Sequence, residues 1–177
     1  MNGEDDMKLV KPTISMKEEF LDYLKECVDE HGSEKNVTPY AVCLFGKSYE
    51  EWLDMTYRFE TEPDSGLVPA STYLLVDDSG RVLGAINIRH ELNEYLKKVG
   101  GHIGYGIRPS ERQKGYATKM LEMALPIAKE LGIERALITC DKDNVASAKT
   151  IINNSGVLEN EIEVDGKITQ RYWIYSP

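Results

Sequence analysis

The stretch GGHIGYGIRPSERQKGYATKML, residues 100–121, decides how this chain folds. Its first part alternates apolar residues with glycine, so Ile103, Tyr105 and Ile107 lie on one face of a strand predicted over 102–107. Apolar residues then recur at helical spacing and predict a helix from Tyr116 to Leu131. A strand, a short loop and a helix therefore follow one another directly.

The loop between strand and helix offers a binding site for an anion. The first N–H groups of a helix have no internal partners, and the helix dipole adds partial positive charge there. A phosphate group suits such a position. Gly115 and Ala117 leave the backbone open to close approach. Four basic residues concentrate positive charge around the loop: Arg108, Arg112, Lys114 and Lys119.

A plain glycine turn with solvated basic residues is the alternative interpretation, because short glycine loops are weak signals. The Walker loop and GxGxxG patterns are both absent from the sequence. The loop by itself therefore leaves both interpretations open.

The rest of the chain predicts a mixed α/β domain. Capping-box patterns at Ser15 and Ser48 predict two early helices, and a further helix is predicted over 145–153. Strands are predicted over 8–10, 72–76, 81–88, 102–107, 135–140, 161–164 and 168–175. We expect one mixed sheet of about six to seven strands, flanked by helices and built around a βαβ unit from Ile103 to Ile138. Pro126 should kink or break its helix.

Length and composition are those of a single globular domain. We expect a loose end at 1–6 and one domain over 7–177. A net charge of −9 argues against nucleic-acid binding, and no run approaches the ~18 apolar residues of a membrane helix. Cys27, Cys43 and Cys140 show neither disulfide nor zinc spacing, which favours a cytoplasmic location and predicts no metal. An acidic surface attracting cationic amines is one further interpretation.

The pattern formed by Arg112, Gly115 and Ala117 resembles the Q/R-x-x-G-x-G/A motif of the GNAT acetyltransferase family, between the strand and helix where that family has it. The segments 100–121 and ITCDKDNVASAKTIINNSGV, residues 138–157, are similar to a bacterial GNAT subgroup. The resemblance extends from about Thr72 to Tyr175. It implies a GNAT-like acyl-CoA N-acyltransferase fold with acetyl-CoA as cosubstrate and an amine as acceptor. The resemblance leaves open whether the chain forms a homodimer.

The resemblance also implies which residues hold the cosubstrate. The pyrophosphate would lie on backbone N–H groups of Gln113, Lys114, Gly115, Tyr116, Ala117 and Thr118, beside Arg112. The strand at 102–107 and the strand after the helix would splay apart, and main-chain groups of Tyr105 and Ile107 would contact the pantetheine arm. Asn144 matches a position that bonds this arm, and Ser147 is a second candidate. Asn144 also suits a helix N-cap, and both roles are compatible.

The catalytic residues are less well defined. An amine must lose a proton before it attacks, and histidine titrates in the useful range. His90 and Glu91 are the predicted base, with solvated loop residues as the alternative interpretation. His102 is a further candidate or a packed histidine. Cys140 is a conceivable nucleophile, although a buried structural thiol is the preferred interpretation. Many GNAT members have a thiol-protonating tyrosine where this chain has Ile151.

These observations predict an N-acetyltransferase that acts on a primary amine of a small molecule or peptide. Transfer is expected to be direct, within a ternary complex and without an acetyl-cysteine. A non-catalytic acyl-CoA-binding regulatory module is the alternative, because the usual tyrosine is missing. A nucleotide-binding protein that uses the same helix start is a third interpretation.

Overall fold

The computed structural model describes residues 7–175, and the predicted loose end at 1–6 lies outside them. Within this range the chain forms seven strands and four α-helices. In chain order these are β1 Lys8–Val10, α1 Lys17–His31, α2 Tyr49–Arg58, β2 Ala70–Val76, β3 Val82–Arg89, β4 Ile103–Ile107, α3 Tyr116–Glu130, β5 Arg135–Asp141, α4 Val145–Asn153, β6 Val157–Val164 and β7 Lys167–Tyr175. The predicted mixed α/β fold is confirmed.

The strands form two hydrogen-bonded sheets. One has the order β1-β2-β3-β4 and the other β5-β7-β6, with neighbouring strands antiparallel in both. β4, α3 and β5 follow one another as the expected βαβ unit, yet β4 and β5 belong to different sheets. The predicted single sheet is therefore divided between its two central strands.

The two sheets meet at His102, immediately before β4. The His102 N–H donates to the Leu137 carbonyl oxygen at 2.7 Å. The Leu137 N–H donates to Nδ1 of the His102 ring at 2.9 Å. In a regular β-ladder, the Leu137 N–H would donate to a carbonyl oxygen of the neighbouring strand. Here it donates to a side-chain ring nitrogen instead. The backbones are so close that a Cβ on Gly101 would lie 2.3 Å from the Leu137 oxygen, and β4 and β5 are not paired beyond this point.

A hydrophobic cluster lies on each face of the first sheet. α3 packs one apolar stripe, made of Met120, Leu121, Ala124, Leu125 and Ala128, against one face. Residues of α1 and α2, with Trp52 and Phe20 fully buried, pack on the other. Burial at both faces holds the sheet between helical layers. None of the helices in the described range is both long and apolar enough to cross a membrane.

The capping-box prediction at Ser15 was wrong and so was a break at Pro126, whereas a kink at Pro126 stays a prediction. α3 continues through Pro126 to Glu130, so the exposed proline does not break it. The capping box at Ser15 does not form, because a 3-10 turn over Ile14–Met16 takes up this residue and α1 begins at Lys17. The capping box at Ser48 is confirmed, with bonds in both directions to Glu51.

The junction predicts a pH dependence of stability. Burial, with a smaller effect of the nearby Arg89 cation, lowers the pKa of His102 from 6.5 to about 4. The unfolded chain binds a proton below its own pKa while the folded protein does not. The contribution of this neutral ring is therefore complete above about pH 6.5 and is lost as the pH falls towards 4.

We expect His102→Gln, which keeps an acceptor oxygen for the Leu137 N–H, to lose this dependence. Between about pH 7 and about pH 5, the free energy of unfolding of the wild type should fall by about 1–2 kcal/mol more than that of the variant. Urea unfolding at both pH values measures the difference. Parallel losses in the two proteins would contradict a neutral, buried His102.

Candidate active site

A slot opens where β4 and β5 separate. It has a volume of about 200 Å³ and lies between the two sheets and the start of α4. Its polar lining includes Tyr105 from β4, Thr139 and Cys140 from β5, and Asn144 and Ser147 at the start of α4. Three residues predicted to contact one bound molecule, Tyr105, Asn144 and Ser147, are thus brought together.

The β4 backbone presents hydrogen-bonding groups to this slot. The Arg89 N–H donates to the His102 oxygen and the Arg108 N–H to the Leu83 oxygen, across the β3–β4 ladder. In an antiparallel pair this register directs the N–H and C=O groups of Tyr105 and Ile107 away from β3. The Ile107 carbonyl accepts a 3.3 Å bond from Arg112 Nε, and Ile107 does not line the slot, whereas Tyr105 does.

The glycines of β4 leave room for a loop on its other face. A Cβ on Gly106 would lie 1.9 Å from the Thr38 oxygen, and one on Gly104 would lie 3.5 Å from the Arg89 guanidinium. Glycine at these positions therefore allows the segment at Thr38 and the Arg89 side chain to lie against the strand. The predicted alternation of apolar residues with glycine over residues 103–107 therefore makes room for this packing.

Three slot residues are joined by hydrogen bonds, with Ser147 bonded to both Asn144 and Tyr105. The Asn144 side chain caps α4 by accepting the Ser147 N–H at 3.1 Å, so the predicted N-cap role is confirmed. The Tyr105 hydroxyl lies 2.9 Å from Ser147 Oγ. Burial raises the pKa of Tyr105 to about 12, so this hydroxyl keeps its proton at neutral pH.

The loop before α3 has the backbone geometry of an anion site. Gly115 precedes the helix with a φ of +84°, and no side chain caps the helix end. Gln113 also has positive φ, at +62°. A Cβ at Gly115 would have no neighbour within 4 Å, so the space in front of the helix is open. By helix geometry the N–H groups of Ala117 and Thr118 have no acceptor one turn earlier in the helix.

The basic residues of the loop are less available than their sequence clustering suggested. Both terminal guanidinium nitrogens of Arg112 pair with Glu30 at 2.7 Å. Arg108 is buried and donates to the Val82 oxygen and to Asp22. Lys114 and Lys119 pair with Glu111 and Glu122. Attraction for an anion here comes from the backbone and helix end more than from unpaired cations.

A larger cavity of about 500 Å³ lies on the α2 side of β2 and β3. α2, strands β2 and β3 and the loops around 40–47, 66–68 and 93–96 surround it. Its rim carries exposed large side chains, namely Tyr40, Phe45, Leu67 and Tyr95. Arg89, at the end of β3, lines both this cavity and the slot. The sequence reasoning missed this arginine, whose only signal is its alternation with Asn87 in an otherwise apolar strand.

The predicted base residues follow Arg89 but line neither cavity. His90 Nε2 lies 2.9 Å from Ser71 Oγ, and burial lowers the pKa of His90. Glu91 is exposed. His102 is used in the strand junction, which supports the packed-histidine interpretation. Ile151 is fully buried in the core beneath α4.

Comparison with known proteins identifies the family and similar folds. A family model described as an acetyltransferase (GNAT) domain matches residues 34–154, more than half of the chain. A search of curated protein sequences found no significant match. The solved structure of RimL, the ribosomal L7/L12 alpha-N-protein acetyltransferase, in complex with coenzyme A is 18% identical, with a TM-score of 0.66 over 96% of this chain and 93% of that chain.

Two further solved structures are similar at comparable levels. The microcin C7 self immunity acetyltransferase MccE, in complex with acetyl-CoA and AMP, has a TM-score of 0.66 at 16% identity, over 97% of this chain and 93% of that chain. A mutant of the spermidine N-acetyltransferase SpeG from Vibrio cholerae has a TM-score of 0.59 at 13% identity, over 96% and 94%. At these identities the likeness concerns the fold.

The open helix end predicts the effect of changes at Gly115. Gly115→Val should weaken acetyl-CoA binding at least about tenfold, or ~1.4 kcal/mol, because the side chain enters the open space and valine tolerates positive φ poorly. Asparagine tolerates positive φ better than valine, so Gly115→Asn tests the effect of filling the space alone. Acetyl-CoA binding should also fall in this variant. Arg112→Ala, whose guanidinium is paired with Glu30, should cost less and make binding less salt-sensitive.

Calorimetric titration with acetyl-CoA measures all three affinities, and thermal unfolding checks that each variant is folded. An unchanged affinity in a folded Gly115→Val protein would remove this loop from the binding site.

Proposed function

Because the chain belongs to the GNAT family of acetyltransferases, we propose that it moves an acetyl group from acetyl-CoA to a primary amine of a small molecule or peptide, in the cytoplasm. Transfer occurs directly, with both substrates bound. The observation that carries the proposal is the pair of cavities that share Arg89, one a narrow slot between separated strands and the other wide enough for an acceptor.

The residues around the slot suit the cosubstrate. The α3 end, with N–H groups from Gln113 to Thr118, would hold the pyrophosphate. Tyr105 backbone groups facing away from β3 would pair with the amides of the pantetheine arm, as a neighbouring strand would. Asn144 and Ser147 offer polar side chains at the far wall of the slot. Bound acetyl-CoA would supply a thioester whose carbonyl carbon accepts the amine and whose sulfur leaves as a thiolate.

The acceptor must reach the thioester as a neutral amine. No aspartate, glutamate or histidine is among the described residues that line either cavity. We therefore infer that the proton leaves through water. His90 and Glu91 are the proposed recipients because they directly follow Arg89, and the lowered pKa of His90 keeps its ring neutral and able to accept a proton.

Tyr105 is the proposed proton donor to the leaving thiolate. The position where many family members carry a tyrosine is Ile151, which is buried in the core and does not line the slot. Tyr105 instead lines the slot from β4, and its hydroxyl lies 2.9 Å from Ser147 Oγ. The Tyr105 phenol would supply a proton donor in place of the missing family tyrosine. That missing tyrosine is the reason for the alternative of a module that only binds acyl-CoA.

Acetyl-CoA should raise the thermal unfolding temperature and ATP should not, because only a ligand that binds the folded state stabilises it by mass action. Release of free CoA with a panel of primary amines then separates catalysis from binding alone. Incubation with acetyl-CoA and no acceptor should give no acetylated protein by mass spectrometry, since burial raises the pKa of the Cys140 thiol and a thiolate is the nucleophile.

Each result has a counterpart that contradicts the proposal. Failure of acetyl-CoA to bind would exclude an acetyl-CoA-dependent function. Binding without CoA release for any amine would favour the regulatory module. An adduct on Cys140 that an amine removes would replace direct transfer by a covalent route, and Cys140→Ala would then be inactive.

Tyr105→Phe tests the proton donor. Its kcat should fall about 100-fold, the low end of general acid catalysis, while its affinity for acetyl-CoA changes less than about threefold, because the main-chain contacts remain. Tyr175→Phe, at an exposed phenol on β7, is the matched control and should behave as wild type. A wild-type kcat in Tyr105→Phe would exclude this role.

A further inference from the structure

Arg89 is a cation without a counter-ion at the boundary of the two cavities. One of its terminal nitrogens donates to the Gly100 and Gly101 carbonyl oxygens, at 3.0 and 3.1 Å. No aspartate or glutamate among residues 7–175 lies within ion-pair distance of it. Burial lowers the pKa of this guanidinium, which reflects the cost of holding a charge partly out of water.

The other arginines of the described range are engaged differently. They pair with carboxylates, or, for Arg135, stack on the Trp173 ring with the guanidinium 4.3 Å from its centre. The paired ones are Arg58, Arg81, Arg108, Arg112 and Arg171. In a protein with 30 acidic residues and 21 basic ones, an arginine that meets only carbonyl oxygens in a cavity wall is exceptional.

The larger cavity adds positive charge and apolar surface but no negative charge. Lys47 lines it and has no carboxylate within ion-pair distance among the described residues. Its lining includes no acidic residue, while Tyr40 and Phe45 form an aromatic pair with ring centres 4.7 Å apart. This lining suits an anionic group next to an apolar body and disfavours a polycation, which would be repelled by both Arg89 and Lys47.

We propose that the acceptor is an α-amino acid with an apolar or aromatic side chain, whose carboxylate is held by Arg89. This inference rests on the proposed acetyl transfer and names its substrate class. The free part of the planar guanidinium donates to the carboxylate, as arginine commonly does. The side chain lies in the larger cavity against its aromatic rim.

The shared position of Arg89 explains why the amine would be an α-amine. In an α-amino acid the amino and carboxylate groups are bonded to the same carbon. A carboxylate held where both cavities meet therefore leaves its amine within a few ångströms of the slot in which the thioester would lie. An amine far from the carboxylate would remain in the larger cavity. Arg89 thus acts as a specificity-determining residue, not as the base.

The test compares amines that differ only in the carboxylate. CoA release is measured with L-phenylalanine, L-leucine, their primary amides, 2-phenylethylamine and spermidine. For wild type, kcat/KM should be at least about tenfold higher with each amino acid than with its amide, the range expected for a charge-assisted pair. Spermidine should be the poorest acceptor.

Variants at Arg89 separate recognition from structure. Arg89→Gln keeps a donor for the Gly100 and Gly101 carbonyls, and should raise KM for L-phenylalanine at least about tenfold but for its amide less than about threefold. Arg89→Lys should recover part of the preference. Arg135→Gln removes the same charge outside both cavities and should match wild type. Titration with acetyl-CoA and thermal unfolding check that Arg89→Gln is folded and still binds the cosubstrate.

The outcomes distinguish this inference from the proposed function. Acetylation of the amides, 2-phenylethylamine or spermidine as efficiently as the amino acids would overturn the inference and leave acetyl transfer standing. If Arg89→Gln loses acetyl-CoA binding, and kcat/KM falls equally for the amino acid and its amide, then Arg89 acts in the slot and does not recognise the carboxylate. Wild-type protein that binds acetyl-CoA but releases no CoA with either amino acid also overturns it, whereas no binding of acetyl-CoA at all refutes the function itself.

Discussion

The meeting of β4 and β5 at His102 is the constraint on which the rest of the structure depends. Two hydrogen bonds to Leu137, one from the His102 backbone and one to its ring, join the two sheets there. Because the ring takes the place of a backbone acceptor, the ladder ends there and the strands are free to separate. The slot lined by Tyr105 lies beyond this point, and Arg89, which pairs with the same turn, forms its boundary with the larger cavity.

Whether a charged side chain is available to a ligand depends on its ion pairs more than on the charges nearby in the sequence. The basic loop that stands out in the sequence is largely neutralised by Glu30, Glu111 and Glu122. Arg89 lies in a strand without any such pattern, yet it meets no carboxylate of residues 7–175. A partly buried guanidinium that lacks a counter-ion gains more from an anionic ligand than a surface one already paired. In the proposed function, the electrostatics of acceptor recognition would lie at the end of β3, while the helix end of α3 would hold the phosphate through its backbone.

The proposed proton donor shows how one group can be supplied from different elements. Ile151 is buried in the core, whereas Ser147, one turn earlier on α4, faces the slot and bonds the Tyr105 hydroxyl. In the proposed mechanism, a phenol from β4 would do what a tyrosine of the helix does in many family members. Such a mechanism needs a protonated hydroxyl in the slot, whichever element carries it.

The sequence by itself determined the elements, because alternation along strands and helical spacing are local: the seven strands, the α3 stripe, the Ser48 cap and the glycine loop could all be predicted. It misjudged the cap at Ser15, which a neighbouring 3-10 turn takes up, and it allowed a break at the exposed Pro126, through which α3 continues. Only the tertiary structure decided that the sheet divides at His102, that Arg112 is paired with Glu30, and that Arg89 is shared by two cavities. These features join residues far apart in the chain, and whether a charge finds a partner is settled only when the strands and helices have packed.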